Sequence, residues 1–414
     1  MNMLPAILLI LILCTQKASA VAEEQWREDA QGRIEQIRKG DLVVRVVDGN
    51  ETPVPNVPVH IAMERHAFPW GTCVQAARII CGQPDNETYR EKLLELFNCA
   101  VLENDLKWNV WHGAAGPGFN REQTRKALIW LHERQFRIRG HCLVWPSWKY
   151  FRPEGEELRT DLAAFQKRVL EHIDELAEFT RDYVSEWDVV NEPVHHNEVI
   201  RALGEDAMVE WFSHARQALP DSCLLFINEY NIVEPDNPLA RAPYKKIIRN
   251  LLEAGAPLEG IGFQSHFHDP PATPEEALRV FDQFAVFGLP IVVTEFDINT
   301  KDECRQAAFT RDFMTAAFSH PACSGFLIWG FWEGAHWRPD AAMFRKDWSE
   351  KPNLHAYRDL VFNEWWTDIE ETTDENGVLS VRGFKGDYTI GVDVQKHAAA
   401  IHDTPTTIEI VLCN

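Results

Sequence analysis

Short apolar runs recur along the middle of the chain, and each is followed by a longer segment in which apolar residues return at helical spacing. The runs are too short for helices and several are rich in β-branched residues, so they predict buried strands. The predicted strands are Phe68–Gly71, Ala100–Glu103, Ile138–Val144, Glu186–Asn191, Leu224–Asn228, Gly260–His266, Ile291–Glu295 and Phe326–Trp329. The helical segments include Thr160–Tyr183, Ala207–Ala218, Arg241–Ala254 and Pro274–Phe287. Eight such pairs in about 300 residues predict an α/β fold, a (β/α)₈ TIM barrel, with its chemistry at the carboxyl ends of the strands.

Both ends of the chain alternate apolar and polar residues in the manner of half-buried strands. Residues 41–64 do so around turn signals, and three further stretches do so near the other end, at Val378–Val381, Tyr388–Val392 and Thr407–Val411. Neither end alone has enough strands for a stable sheet. We therefore expect a barrel over residues 66–366 and one small β-module built from the extensions 21–65 and 367–414.

The first twenty residues have the pattern of a secretory signal peptide. An apolar run from Leu4 to Leu13 precedes the small residues Ala18-Ser19-Ala20, which predicts export and cleavage after residue 20. Cys14 follows a sequence that resembles a lipoprotein box, but the large Leu13 stands where a small residue is expected. No later stretch reaches the roughly 20 apolar residues of a membrane span. The expected location is secreted or periplasmic.

Charge and cysteine content narrow the class of protein. A net charge of −22 argues against nucleic acid and anionic membranes as partners and is compatible with a neutral polymer. Loss of Cys14 would leave an even number of cysteines in an exported chain, so disulfides are possible. The candidates close in sequence are Cys73 with Cys81 and Cys304 with Cys323. Cys142, inside a predicted strand, fits a small buried hydrophobe better.

Two predicted strands end in a glutamate. Trp187-Asp188-Val189-Val190-Asn191 leads into Glu192, and Pro290-Ile291-Val292-Val293-Thr294 leads into Glu295. Either carboxylate alone could simply cap the turn after its strand. Together, at the same end of a parallel barrel, they can face each other across a pocket.

Further polar and aromatic strings follow the other predicted strands in order. They are Glu103-Asn104-Asp105-Leu106-Lys107-Trp108, Arg139-Gly140-His141-Cys142-Leu143-Val144-Trp145, Asn228-Glu229-Tyr230-Asn231, Gly262-Phe263-Gln264-Ser265-His266 and the pair Trp329 and Trp337. With the two glutamate strings, this series resembles glycoside hydrolase family 10, the retaining endo-β-1,4-xylanases, over about residues 66–364. The resemblance implies endo-hydrolysis of xylan by double displacement, without a cofactor or a metal, and we expect a monomer.

The resemblance also implies roles for individual residues. Glu192 would be the general acid/base and Glu295 the nucleophile, supported by Asn191, His266 and Asp297. His266 would hydrogen-bond Glu295, and Asp297 would orient His266 and so keep Glu295 ionised. The substrate would be bound by Glu103, Asn104, Lys107, His141, Trp145, Tyr230, Gln264, Trp329 and Trp337.

At several positions the chain departs from the family pattern. Pro146-Ser147-Trp148 stands where His-Ser-Gln is common, and Glu229 and Glu333 each stand where aspartate is common. Trp332 has no family counterpart. These departures affect the expected fine specificity.

Three other readings remain open from the sequence. His266-Phe267-His268-Asp269, or the pair His195-His196, could hold a metal in a barrel hydrolase. A carbohydrate-binding barrel without catalysis could keep the tryptophans. An enzyme of the same type could prefer β-1,4-glucan or a substituted xylan, because the room around C5 of each sugar decides between glucose and xylose.

Overall fold

The computed structural model describes residues 25–113, 119–234, 238–269 and 271–412. The predicted signal peptide, with Cys14, lies outside the described residues.

Eight parallel strands form a closed barrel, which confirms the predicted fold class. The strands pair in chain order, and the last closes the ring by pairing with both its predecessor and the first. The eight are β3 (Trp70–Val74), β4 (Cys99–Leu102), β5 (Arg137–Gly140), β6 (Glu186–Asn191), β7 (Leu224–Glu229), β8 (Gly260–Phe263), β10 (Ile291–Asn299) and β11 (Cys323–Ile328). Their side chains are almost all buried, as expected for parallel strands covered by helices.

The sixth predicted strand is interrupted in the structure. It consists of β8 and the separate short strand β9 (His266–His268), which pairs with the extended end of β10. Between them Ser265 has a φ of 66°, a left-handed conformation that no strand continues through. This break turns His266 toward Asp297, its partner in the strand register.

The helices surround the barrel. A helix over residues 25–37 comes first, and we call it α1. The others are α2 (Ala76–Ile80), α3 (Pro84–Leu96), α4 (Trp108–Trp111), α5 (Arg121–Glu133), α6 (Glu154–Leu158), α7 (Leu162–Thr180), α8 (Glu198–Leu203), α9 (Asp206–Ala218), α10 (Arg241–Glu253), α11 (Pro274–Ala285), α12 (Glu303–Ser319) and α13 (Pro352–Arg358), which continues as a π-helical turn over Asp359–Glu364. Short 3₁₀ turns lie at Trp148–Tyr150, Pro238–Ala240, Glu333–Ala335 and Pro339–Ala341.

The predicted β-module is present as two small sheets, each combining strands from both ends of the chain. The strands are β1 (Lys39–Val47), β2 (Pro58–His66), β12 (Asp368–Thr372), β13 (Val378–Phe384), β14 (Gly386–Val392), β15 (Gln395–Ile401) and β16 (Thr406–Val411). One sheet has the order β13-β1-β16 and the other β12-β2-β14-β15. Alternate apolar residues of both sheets are buried in one hydrophobic cluster that also contains barrel residues.

The two terminal sheets meet the barrel at the amino ends of its strands. Arg38 donates to the backbone oxygens of Phe318, His320 and Cys323, and its guanidinium lies 4.7 Å from the centre of the Phe68 ring. On the other side of the junction, the amide of Asn98 donates to the backbone oxygens of His66 and Phe68 at 2.8 and 3.1 Å. The carboxyl ends of the strands remain clear of the terminal sheets.

The disulfide candidates are wrong in the described part of the chain. All seven cysteines described there are free, including both members of each candidate pair. Cys73 lies inside the barrel strand β3, and Cys323 is buried at the start of β11, whereas Cys304 is exposed on α12. Cys142 is buried, as predicted. Among the described residues, no helix is long and apolar enough to cross a membrane.

Candidate active site

A pocket of about 520 Å³ opens at the carboxyl ends of the barrel strands. It is lined by Glu103, Asn104, Lys107, His141, Trp145, Tyr150, Glu192, His196, Tyr230, Asn231, Gln264, His266, His268, Glu295, Trp329, Trp337 and Arg338. Of the site residues predicted from the sequence, Asn191 and Asp297 lie just behind this surface and the others form part of it.

Glu192 is the first residue after β6 and points into the pocket. Its φ of 59° is unusual for a residue with a side chain, and the backbone turns there because the strand has ended. One carboxyl oxygen accepts from Gln264 Nε2 at 2.9 Å, and the other accepts from Trp145 Nε1 at 2.8 Å. Burial raises the pKa of Glu192 to about 7, with the charges of Glu229 and Glu295 adding to the shift against the two hydrogen bonds. The carboxyl is therefore protonated below neutral pH.

Glu295 lies within β10 and has the opposite environment. Oε1 accepts from Asn228 Nδ2 at 2.8 Å, and Oε2 lies 3.2 Å from Nε2 of His266. Burial acts to raise its pKa, but the hydrogen bond from His266 and the positive charges of His141, His266 and Lys107 outweigh burial, so the pKa is lowered. Glu295 is ionised under conditions in which Glu192 is neutral.

His266 connects Glu295 to Asp297. Its Nδ1 lies 3.1 Å from Oδ2 of Asp297, while Nε2 faces Glu295. Although burial opposes a charged imidazole, the charge of Asp297 and bonds to both carboxylates raise the pKa of His266 to about 10. Asp297 in turn accepts from Trp337 Nε1 at 2.8 Å and from Arg338 Nη1 at 3.1 Å. The imidazolium is therefore held in place on both sides.

Asn191 has a buried amide group with an unused donor. Its Oδ1 accepts from Asn228 Nδ2 at 3.0 Å, the same nitrogen that donates to Glu295. Its own Nδ2 is buried and has no hydrogen-bond partner. A buried amide N–H without a partner is costly, so a ligand that accepts from it gains free energy. Asn228 therefore connects Asn191 to Glu295, a role that was not predicted from the sequence.

Most of the chain matches one known protein family. The family model described as glycosyl hydrolase family 10 matches residues 60–403, most of the chain. The chain belongs to glycosyl hydrolase family 10.

Curated relatives of this family 10 chain carry more than one kind of name. It is 30% identical to endo-1,4-beta-xylanase 1 of Arabidopsis thaliana, over 86% of this chain and 37% of that protein. It is 29% identical to the anti-sigma-I factor RsgI6 of Acetivibrio thermocellus, over 89% of this chain and 47% of that protein. The chain thus spans less than half the length of these two relatives. Endo-1,4-beta-xylanase B of Thermotoga neapolitana is 30% identical, over 67% of this chain and 84% of that protein.

Solved structures agree on the fold. The crystal structure of xylanase 10B from Thermotoga petrophila in complex with xylobiose matches with a TM-score of 0.63 and 24% identity. The match covers 72% of this chain and 95% of that chain.

The residues that family 10 motifs assign to one side of the site lie together. Lys107 Nζ donates to Asn104 Oδ1 at 3.0 Å, and Glu103 accepts from Gln75 Nε2 at 3.0 Å. Nδ1 of His141 lies 2.9 Å from Oδ2 of the buried Asp188. Gln75 and Asp188, which do not line the pocket, thus hold Glu103 and His141, which do.

Aromatic rings form the walls on the side of Glu192. Trp145 stacks on Tyr150, with ring centres 3.5 Å apart, and Tyr230 stacks on His195 at 4.0 Å. His196 Nε2 lies 3.2 Å from a carboxyl oxygen of Glu192. Tyr150, His196, Asn231, His268 and Arg338 line the pocket but were not predicted to bind substrate. The sequence pattern indicated their positions only weakly. His196 lies close after the motif of Glu192, and Arg338 lies beside Trp337.

Most departures from the family 10 motifs point away from the pocket. Trp148 packs on Phe165 at 4.9 Å, and the 3₁₀ turn that it begins brings Tyr150 to Trp145 instead. Trp332 is buried and stacks on Trp348, with ring centres 4.6 Å apart. Glu333 accepts from the backbone N–H of Lys346 at 2.9 Å. Glu229 is the departure whose contacts reach the site, through His195 and the backbone of Tyr230.

Among the residues that the structure describes, no cluster of three possible metal ligands lies at the pocket. His266 uses its two nitrogens on Glu295 and Asp297, and His195 faces Glu229. In the described part of the chain the group with suitable spacing is His112, His172 and Glu175, outside the pocket. Arg168 lies 3.1 Å from His112 and 3.2 Å from Glu175, so a cation already occupies that position.

Proposed function

We propose that this chain is a retaining endo-β-1,4-xylanase in which Glu192 is the general acid/base and Glu295 the nucleophile. The observation that carries the proposal is the presence in one pocket of two buried glutamates with opposite surroundings, Glu295 beside the imidazole of His266 and Glu192 beside the neutral donors Gln264 and Trp145. Burial raises the pKa of Glu192 to about 7, whereas His266 and neighbouring charges lower that of Glu295. A neutral acid opposite an ionised carboxylate is the pairing that double displacement requires.

In the first step Glu295 attacks the anomeric carbon while Glu192 gives its proton to the leaving oxygen. The bond between sugar and leaving group breaks, and a glycosyl ester with Glu295 forms. Asn228 and His266, which donate to the two carboxylate oxygens of Glu295, hold it in one orientation for attack. Holding the nucleophile in the right orientation lowers the barrier to reaction by more than either hydrogen bond contributes by itself.

In the second step the ionised Glu192 removes a proton from water, and the water attacks the ester carbon. Glu295 leaves as a carboxylate, and the sugar keeps its anomeric configuration. The unpartnered Nδ2 of Asn191 suits the 2-hydroxyl of the reacting sugar, since its neighbours leave it free to donate. A bond to that hydroxyl strengthens as the oxocarbenium-like transition state forms.

Xylan is the proposed substrate because several curated relatives are named endo-1,4-beta-xylanases. Another relative is named an anti-sigma factor, so a stretch similar to this chain also occurs in a protein with a different kind of name. The pocket has Trp329 and Trp337 on its wall, and flat indole faces pack against sugar C–H groups of xylose and glucose alike.

The test measures reducing-sugar release from xylan, cellulose and mixed-linkage glucan. We expect release from xylan and little from cellulose, with Glu295→Ala as the inactive control. Faster release from a glucan would replace xylan by glucan as the substrate. Binding of xylan without any release would show a carbohydrate-binding barrel instead of an enzyme.

A further inference from the structure

Glu229, the last residue of β7, is fully buried and has no part in the two steps above. Its carboxylate accepts three hydrogen bonds. They come from the backbone N–H of Val194 at 2.8 Å, from Nδ1 of His195 at 2.9 Å and from the backbone N–H of Tyr230 at 3.0 Å. A buried group with three short bonds is held in one place.

The three donors belong to the two segments that shape the leaving-group side of the pocket. Val194 and His195 follow Glu192 and Pro193 in the chain, and the backbone N–H of His196 donates to the backbone oxygen of Glu192 at 2.8 Å. Tyr230 forms a pocket wall, and the His195 ring stacks on it. Glu229 therefore joins the turn that carries the acid to the neighbouring pocket wall formed by Tyr230.

Glu229 has three hydrogen-bond donors that suit a carboxylate. Burial raises the pKa of Glu229, and His195 and the two backbone N–H groups reduce this shift without cancelling it. For His195 burial acts to lower the pKa, yet Glu229 outweighs it and the pKa is raised. The other charged groups that act on His195 are Glu192 and Glu234, and Glu295 acts with Glu229 on Glu192.

We propose that the buried pair of Glu229 and His195 is a positioning device that fixes Glu192 and Tyr230 relative to each other, so that the acid meets the leaving oxygen. The inference rests on the proposed function.

The test compares Glu229→Gln with wild type on xylan and on an aryl xylobioside whose phenol leaves without protonation. A displaced acid should lower kcat/KM on xylan by roughly 10- to 100-fold. The loss on the aryl substrate should be much smaller, because glycosylation there does not need the acid. The upper limb of the pH profile should also move to lower pH, since the variant removes a negative charge that favours the protonated form of Glu192.

Glu259→Gln is the matched control. Glu259 also accepts from a β7 backbone N–H, that of Leu225 at 3.0 Å, and from the cation Arg216 at 3.1 Å, but at the amino end of the strand. The Glu259→Gln substitution should lower the melting temperature without changing the ratio of the activities on xylan and on the aryl xylobioside. If Glu229→Gln does not fold, His195→Gln is measured in its place, and the same ratio of activity losses on xylan and on the aryl substrate is expected.

Equal losses on the two substrates with an unmoved upper limb, or no loss on xylan, would overturn the inference. A wild-type protein that releases nothing from xylan would refute the proposed function itself, which keeps the two failures apart.

Discussion

The two ends of the barrel use polar side chains in different ways. At the amino ends, Arg38 and Asn98 donate to backbone oxygens and connect the terminal sheets to the barrel. At the carboxyl ends, Glu192, Glu295 and Asn191 project into a pocket, and Asn191 keeps a buried donor unused. Satisfied polar groups contribute to stability, whereas groups kept poised for a ligand usually cost stability and serve function. Substitutions at the two ends should therefore separate activity from stability.

The largest effect is expected for Glu295→Ala. Loss of the nucleophile should lower kcat/KM on xylan by on the order of 10⁴- to 10⁶-fold. The melting temperature should stay the same or rise, because a buried charge has been removed. Steady-state hydrolysis and a thermal melt check both parts. If Glu295→Ala unfolds as well as losing activity, this polar group at the carboxyl ends also maintains stability, which contradicts the comparison.

A smaller effect, on stability alone, is expected for Arg38→Ala. Three backbone oxygens lose their donor, and Phe68 loses the guanidinium packed on its ring. The free energy of unfolding should fall by about 2 to 4 kcal/mol, with kcat unchanged at 25 °C. The measurement is denaturant unfolding beside an activity assay.

Arg45→Ala is the control for this substitution. Arg45 lies on the same terminal sheets and pairs with Glu409 at 3.4 Å, with both side chains about half exposed. The change should alter the free energy of unfolding by less than about 1 kcal/mol. If both variants lose the same free energy of unfolding, the contacts of Arg38 at the junction stabilise the protein no more than an exposed ion pair does.

The smallest effect concerns the pH profile of kcat/KM. Activity should fall as pH rises through about 7, where Glu192 loses its proton, and as pH falls through the lowered pKa of Glu295. Trp145→Phe removes the Nε1–H that favours the ionised form of Glu192. The upper limb should then move to higher pH by about one unit. A shift to lower pH would contradict the assigned hydrogen bond.

Much of the carboxyl end of the barrel was predictable because its strands are β-branched runs that stop at polar residues. Glu186–Asn191 has the predicted bounds, and the chain order of strands fixes which side chains share a rim. Tyr150 and Asn228 were not recognised, since their roles depend on a 3₁₀ turn and on contacts across strands. Spacing along one strand carries no information about either.

The terminal sheets were harder to predict in detail. β12 (Asp368–Thr372) is rich in acidic residues, and β15 (Gln395–Ile401) has alanines where β-branched residues are usual. Pairing with β2 and β14 holds these strands in place despite their weak propensity. The disulfide candidates failed for a related reason, because proximity in sequence does not pair Cys73 with Cys81 when Cys73 lies inside a barrel strand, and both are free.

The most direct test of the central claim is a stopped-flow trace of phenol release from an aryl xylobioside with a good leaving group. Glu192→Ala should give a burst followed by slow turnover, because Glu295 forms the glycosyl ester but no base activates water. Azide should restore the rate, since it attacks the ester without needing a base. Glu295→Ala should give no burst. A burst from Glu295→Ala and none from Glu192→Ala would reverse the two roles, and ordinary xylan hydrolysis by both variants would place the active site elsewhere.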